Sequence, residues 1–345
     1  MNVIELNEKA SIYKGIGIIL VVLGHCCIRL QPYIYMFHMA LFFFIGGGLY
    51  NSKKYDENIS LHIGTRIKSL YSRMMPWMII LGLFHNIFVD LGIINDIAQK
   101  YSLLDFGNHL LNYVFFDFEP ECGPLWFVVP YVFAQIIYGI NSSISHKLFK
   151  KKKIFLISIS VLYGIIAEIL IFAGVRNGYH LEIACLMQPV MLLGDLSDLD
   201  LGNNIIVNIL MVILDVIIIV FTYHHYGEFV SLGSDILIHP IAFWVVTLCG
   251  INLASFVVKM ISNIRGIKNV VIVIGNASFD IMVLHVLVFR IMWALNKYIN
   301  QKYIDSYTEF VFQNWLIYLC LGVFIPATIA YLKNLAKNKV KFSKE

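Results

Sequence analysis

Two ionisable side chains inside one apolar run are the first residues in this sequence equipped for chemistry. Lys14 and His25 bracket the stretch Gly-Ile-Gly-Ile-Ile-Leu-Val-Val-Leu-Gly. Eleven residues at about 100° each come within about 20° of three full turns, so on a helix the two side chains share a face about 16 Å apart along its axis. A cation at one mouth and an imidazole deeper in suit an anion clamp followed by a proton acceptor working near neutral pH. The same pair also fits a snorkelling lysine and a histidine bonded to a neighbouring helix. Gly15, Gly17 and Gly24 allow a neighbouring helix or a thin ligand to come close to this run.

A second run opens with Phe37-His38-Met39-Ala40-Leu41-Phe42-Phe43-Phe44-Ile45-Gly46-Gly47-Gly48. His38 sits across a short turn from His25, as a second catalytic histidine or as an interfacial one in an aromatic belt. The three glycines predict helix crowding or a break facing a cavity. Arg66 and Arg73 are seven residues apart, about 700°, and again share a helical face. Two guanidiniums there suit a phosphate-bearing ligand, or equally lipid headgroups. Trp126, in Gly123-Pro124-Leu125-Trp126-Phe127, reads as an interfacial anchor on its own. Glu168, Asp215 and His285 lie inside further apolar runs, where ionisable residues mark pairing or a pathway. Arg290 falls about 140° away from His285 and does not share its face.

These residues need elements to hold them, and the composition says which. Of 345 residues, 59% are hydrophobic and 14% charged, against roughly 45–50% and about 25% in a soluble domain. The mean hydropathy is +0.75. Lipid must therefore cover much of the surface. Apolar stretches of spanning length fall near 11–30, 33–51, 74–94, 124–143, 154–174, 180–195, 204–222, 237–258, 269–296 and 311–332, the sixth being short. The reading is all-α: a polytopic integral membrane bundle of about ten transmembrane helices. It forms a single domain over 1–345, with a basic tail at 333–345. Between spans three and four, Gly92 to Gly123 is the longest connection, acidic and aromatic, with a short apolar stretch from His109 to Phe118 that suits a re-entrant segment. It is expected either to cover a substrate site or to be a plain solvated link.

Twenty of the 26 lysines and arginines fall in the N-terminal segment, alternate loops and the C-terminal tail if the N-terminus is cytoplasmic. The positive-inside rule then puts both termini in the cytoplasm. Asp195, Asp198 and Asp200 make one inner loop acidic and free of positive charge. The six cysteines show no Cys-x-x-Cys spacing, so neither a disulfide framework nor a metal site is expected. The basic residues are spread over membrane-edge loops, which gives nucleic-acid binding no support.

In order along the chain, these motifs resemble the acyltransferase 3 family of integral membrane O-acyltransferases, and most closely its fucose 4-O-acetylase-like branch. The resemblance rests on a basic residue, ten residues and a histidine (Lys14, His25), on Phe37 to Phe44, on Arg66 and Arg73, on Leu125 to Phe127, and on Ser278 to His285. Lys14 stands where arginine is more frequent in the family, Ala40 where proline is common and Gly46 where serine is common. The resemblance implies acetyl transfer from cytoplasmic acetyl-CoA to a hydroxyl of a carbohydrate acceptor, a surface polysaccharide or its lipid-linked precursor, in the bacterial cytoplasmic membrane. Under it, His25 and His38 are the catalytic candidates and Lys14, Arg66 and Arg73 hold the CoA phosphates. Trp126 and His285 contact the acceptor, and His285 alternatively orients His25. On composition alone, a transporter or flippase for a lipid-linked sugar or small metabolite is the competing expectation.

Overall fold

The computed structural model describes residues 3–94, 99–149, 152–197, 199, 205–227, 230–234, 236–300 and 307–342. Asp198, Asp200, Lys302 and the last three residues of the basic tail lie outside the described residues. In chain order the helices are α1 (Val3–Cys26), α2 (Gln31–Tyr35), α3 (His38–Gly48), α4 (Ser52–Tyr55), α5 (Ile59–Asp90) and α6 (Leu103–Val114). A 3-10 segment, Pro120–Phe127, leads into α7 (Val128–Leu148), then α8 (Lys152–Phe172), α9 (Leu181–Leu186), α10 (Gln188–Ser197) and α11 (Ile205–Tyr226). A short 3-10 turn, Leu232–Ser234, precedes α12 (Pro240–Ser262), α13 (Arg265–Asn276), α14 (Ser278–Asn300), α15 (Tyr307–Gln313) and α16 (Trp315–Phe342). Among the described residues the only sheet-like pairing is a single bridge between Ser231 and Ile236.

The chain is an all-α membrane bundle in which, among the described residues, eight helices are long and apolar enough to cross a bilayer. They correspond to eight of the ten expected spans. The other two are broken. The run at 33–51 divides into α2 and α3 at Met36 and Phe37, and the run at 180–195 divides into α9 and α10 at Met187. Neither α3 nor α10 reaches the roughly 20 residues a spanning helix needs. The run at 269–296 also breaks, at Ala277, giving a separate amphipathic α13. Continuous hydrophobicity conceals such breaks, because a broken helix buried in protein is as apolar as an unbroken one.

Glycine explains the packing of the broken pieces. The Gly46–Gly48 run is a crowding device: a Cβ at Gly47 would strike the Met191 carbonyl, and one at Gly194 would strike the Phe44 carbonyl. The backbones of α3 and α10 therefore touch. A Cβ at Gly15 would meet the Val271 carbonyl and one at Gly275 the Ser11 carbonyl, which seats α13 on α1 in the same way. Small residues permit this approach, and dispersion between the backbones holds it where lipid gives no hydrophobic drive.

Polar pairs fix which helices meet. The Trp77 indole N–H of α5 donates to Asp280 Oδ1 of α14 at 2.8 Å, and Lys333 of α16 pairs with the same carboxylate while lying 5.2 Å over the Trp77 ring. The two intramembrane acids noted in the sequence both find partners. Asn252 Nδ2 donates to Asp215 at 2.5 Å, and Trp244 Nε1 donates to Glu168 at 3.4 Å.

The long connection folds onto α5. Asn86 holds Tyr101 through its backbone N–H and carbonyl, and Tyr71 donates to the Val114 carbonyl at 2.7 Å. Ser102 and Asp105 form a capping box that starts α6 and holds the Asp105 carboxyl below the usual range. Glu119 is buried, accepting from Tyr113 and from Tyr101 at 3.3 Å. Burial first, and then that carboxylate, push the Tyr113 phenol well above its ordinary value. The apolar stretch His109–Phe118 is thus not one unit: it divides at the end of α6, and Phe116 turns the chain with a φ of 66°.

The backbone contact of α3 with α10 makes a specific prediction. Gly47→Leu should destabilise the bundle by about 1–3 kcal/mol, read as a lower Tm and early aggregation in detergent. Gly64→Leu on α5, where a Cβ meets open space, should leave both unchanged.

Candidate active site

One face of α1 organises the site. Lys14 is half-buried near one end of that face and His25 lies near the other, with Val21 between them. Because α5 begins at Ile59, Arg66 and Arg73 stand on its leading turns and not in a loop. The Asn58 side chain caps that start by accepting from the Leu61 N–H at 3.0 Å. Thirty-two residues make α5 about 48 Å long, well beyond the roughly 30 Å hydrocarbon layer. Both guanidiniums approach Lys14 closely enough for the three charges to interact, and both also act on the Tyr131 hydroxyl of α7. Arg66 lies 5.9 Å from the Tyr55 ring centre, with its Nε buried and unbonded among the described residues. Three cations together make a place for an anion of several charges.

At the other end His25 opens on a cavity of about 300 Å³. His38, the first residue of α3, lines the same cavity and is 5% exposed. Its Nδ1 lies 2.9 Å from the Ile34 carbonyl, one turn back across the break between α2 and α3. The Tyr35 ring packs against both imidazoles, 6.0 Å from His25 and 4.9 Å from His38. Gly24 admits that ring: a Cβ there would sit 2.7 Å from Tyr35 Cε1. The break after Tyr35 therefore has a use. It turns His38 back toward α1.

Trp126 and Phe127, at the end of the 3-10 segment, form another wall. Trp126 stands edge-on to His180 at 5.2 Å, and the turn around Gly233 lies against its indole, where a Cβ would come within 2.9 Å. That turn carries Ser231 and Ser234, which also line the cavity and are joined hydroxyl to hydroxyl at 3.1 Å. Two backbone hydrogen bonds of 2.9 Å between Ser231 and Ile236 close it. None of the described residues from Gly92 to Gly123 lines this cavity. They border a separate hollow of about 450 Å³ beside His85, Tyr101 and His109.

His285 is not on the cavity wall. It is fully buried, its Nε2 3.0 Å from His25 Nδ1 and its Nδ1 2.9 Å from the Ile281 carbonyl. The two rings stack with centroids 5.0 Å apart. Among the residues singled out from sequence, Lys14, Arg66 and Arg73 gather at one end, and His25, His38 and Trp126 share the cavity at the other, with His285 behind His25. Sequence reasoning missed Tyr35, Phe42 and the turn at 231–234. The Ser231-Leu-Gly-Ser234 run carries the ordinary composition of a turn, but nothing in it says that the turn folds over a cavity. Phe42 borders the cavity and packs on Gly17, where a Cβ would lie 3.1 Å from its ring, so it joins the wall to the middle of α1.

With this geometry in place, comparison with known families is decisive. The model of the acyltransferase 3 family, described as an acyltransferase domain, matches residues 11–333. The chain belongs to that family and is a multi-pass membrane acyltransferase. No curated protein and no solved structure shows a significant match.

Gly233→Val should push the turn off the Trp126 indole and loosen the cavity wall. The expected outcome is a roughly tenfold loss of acyl transfer with an unchanged Tm, measured on the same detergent-purified sample.

Proposed function

We propose that this protein is an O-acetyltransferase. In this reading it takes the acetyl group of cytoplasmic acetyl-CoA and delivers it to a hydroxyl of a carbohydrate acceptor, a bacterial surface polysaccharide or its lipid-linked precursor. The observation that carries the reading is the layout of α1, with a cation cluster at one end of a face and an imidazole in a cavity at the other. The family supplies the acyltransferase class. The choice of acetyl-CoA and a sugar rests on the phosphate-suited cations, the polar and aromatic cavity wall, and the motifs shared with the fucose 4-O-acetylase-like branch.

Lys14, Arg66 and Arg73 hold the phosphates of the donor, and they sit at the cytoplasmic mouth if both termini face the cytoplasm. Arginine forks suit phosphate oxygens, and Lys14 adds a point charge. The thioester end reaches the cavity along the face of α1 that carries Val21. His25 takes the proton of the acceptor hydroxyl as its oxygen bonds to the thioester carbonyl carbon. The C–S bond then breaks, and His25 returns the proton to the departing thiolate, leaving free CoA and the acetyl ester. His38 and the Ser231–Ser234 turn hold the acceptor by hydrogen bonds, and Trp126 presents its indole to the sugar ring.

The test uses purified protein in nanodiscs with radiolabelled acetyl-CoA and a cell-envelope glycan extract. His25→Ala should lower label transfer by roughly 10²–10⁴-fold while acetyl-CoA still binds. Arg66→Ala and Arg73→Ala should chiefly raise the KM for acetyl-CoA, and Lys14→Arg should retain activity. Undiminished transfer by His25→Ala would sink the mechanism, and a protein that never consumes acetyl-CoA would sink the activity.

A further inference from the structure

The interaction behind the cavity determines which nitrogen of His25 does the work. A backbone carbonyl only accepts hydrogen bonds, so the 2.9 Å contact of His285 Nδ1 with the Ile281 oxygen requires a proton on that nitrogen. In a neutral ring, Nε2 of His285 is then an acceptor. Its 3.0 Å contact with His25 Nδ1 requires the proton there to belong to His25. The reverse arrangement would set two lone pairs against each other at the Ile281 oxygen, inside a fully buried pocket with no water to separate them.

We infer that His285 is a positioning residue that holds His25 in its Nδ1–H tautomer and so leaves the Nε2 lone pair as the base in the cavity. The inference rests on the reading of His25 as the general base and gives that base an orientation. It follows the logic by which a third group fixes the tautomer of a catalytic imidazole, with a difference. The orienting group is a neutral histidine anchored to its own helix, and among the described residues no carboxylate pairs with either ring. When His25 gains a proton at Nε2, its Nδ1–H still donates to His285, and the His285 Nδ1–H still donates to the Ile281 carbonyl. Nothing needs to move. His38 is oriented differently: its Nδ1 meets the Ile34 carbonyl directly, with no second ring in between.

The experiment reads the tautomer and the rate separately. Wild-type protein labelled with ¹⁵N at histidine is compared with His285→Leu and His285→Gln, and the His25 signals are assigned by difference against His25→Ala. Wild type should show a protonated Nδ1 and a bare Nε2. His285→Leu, which cannot accept, should give a tautomer mixture and a roughly hundredfold lower kcat with the KM for acetyl-CoA unchanged. His285→Gln, whose amide oxygen can accept from Nδ1–H, should restore the single tautomer and most of the rate. A proton on His25 Nε2 in the wild type overturns the inference, as does full activity of His285→Leu or a His285→Gln no better than leucine. If His285→Leu does not fold, the wild-type spectrum and His285→Gln still decide. If His25→Ala stays active while the wild-type spectrum shows Nδ1–H, the ring pairing stands and the base assignment falls.

Discussion

A polar group enclosed by apolar helices has no water to fall back on, and leaving it unpaired costs about 2–7 kcal/mol in the most apolar surroundings. The described parts of this bundle are arranged around that constraint. Several of its enclosed polar side chains are joined across elements far apart in sequence: His25 with His285, Trp77 and Lys333 with Asp280, Asn252 with Asp215, and Tyr13 with Ser255 at 2.7 Å. Apolar packing alone would let such helices slide, because one row of isoleucines resembles the next. A hydrogen bond with a 3 Å reach does not. The polar pairs set the register, and the apolar surfaces, exposed all along α8 and α11, fill in around them.

The same constraint joins fold to chemistry. α1 packs on α3, α12, α13, α14 and α16, so it is the helix least free to move. One of its faces carries both Lys14 of the cation cluster and the imidazole of the cavity. Burial of Ile12, Ile18 and Val22 on the same helix keeps it in place, while Gly15 lets α13 come into backbone contact. The glycines that make this packing dense are the ones that looked like room for a ligand. In the structure most of that room is taken by other helices, and Gly17 lies against Phe42 of the cavity wall.

Much of this was legible in the sequence, and the reasons are physical. Regular helices turn a spacing into a direction, so eleven residues put Lys14 and His25 on one face, and seven put Arg66 and Arg73 on another. Both pairings survive because α1 and α5 run without a break through those positions. What failed was anything that depended on where helices stop. Met36, Met187 and Ala277 interrupt runs whose hydrophobicity does not change. The pairing of His285 with His25, 260 positions apart, has no local signature at all. Nor does the turn at Ser231, which reaches the cavity only because α11 and α12 pack together and leave their connection above it.

The two sides of the cavity are built from different materials, and this bears on how such an enzyme divides its work. The side that carries Lys14 is ruled by one uninterrupted helix: at 1.5 Å per residue the separation of Lys14 from His25 is fixed by the backbone itself, and a site on a helix holds its geometry more tightly than one on loops. The facing wall is assembled from pieces, namely the joint between α2 and α3, the 3-10 segment before α7, and the turn closed by the two hydrogen bonds between Ser231 and Ile236. Substitutions in those pieces change shape and hydrogen bonding without shifting the helices behind them, because connections tolerate change that packed helices do not. In the proposed reading, the donor is held against a fixed ruler and the acceptor against a wall that can be altered piece by piece. In this chain the separation runs between His25, paired with the buried His285, and His38, whose Nδ1 meets the carbonyl one turn before it.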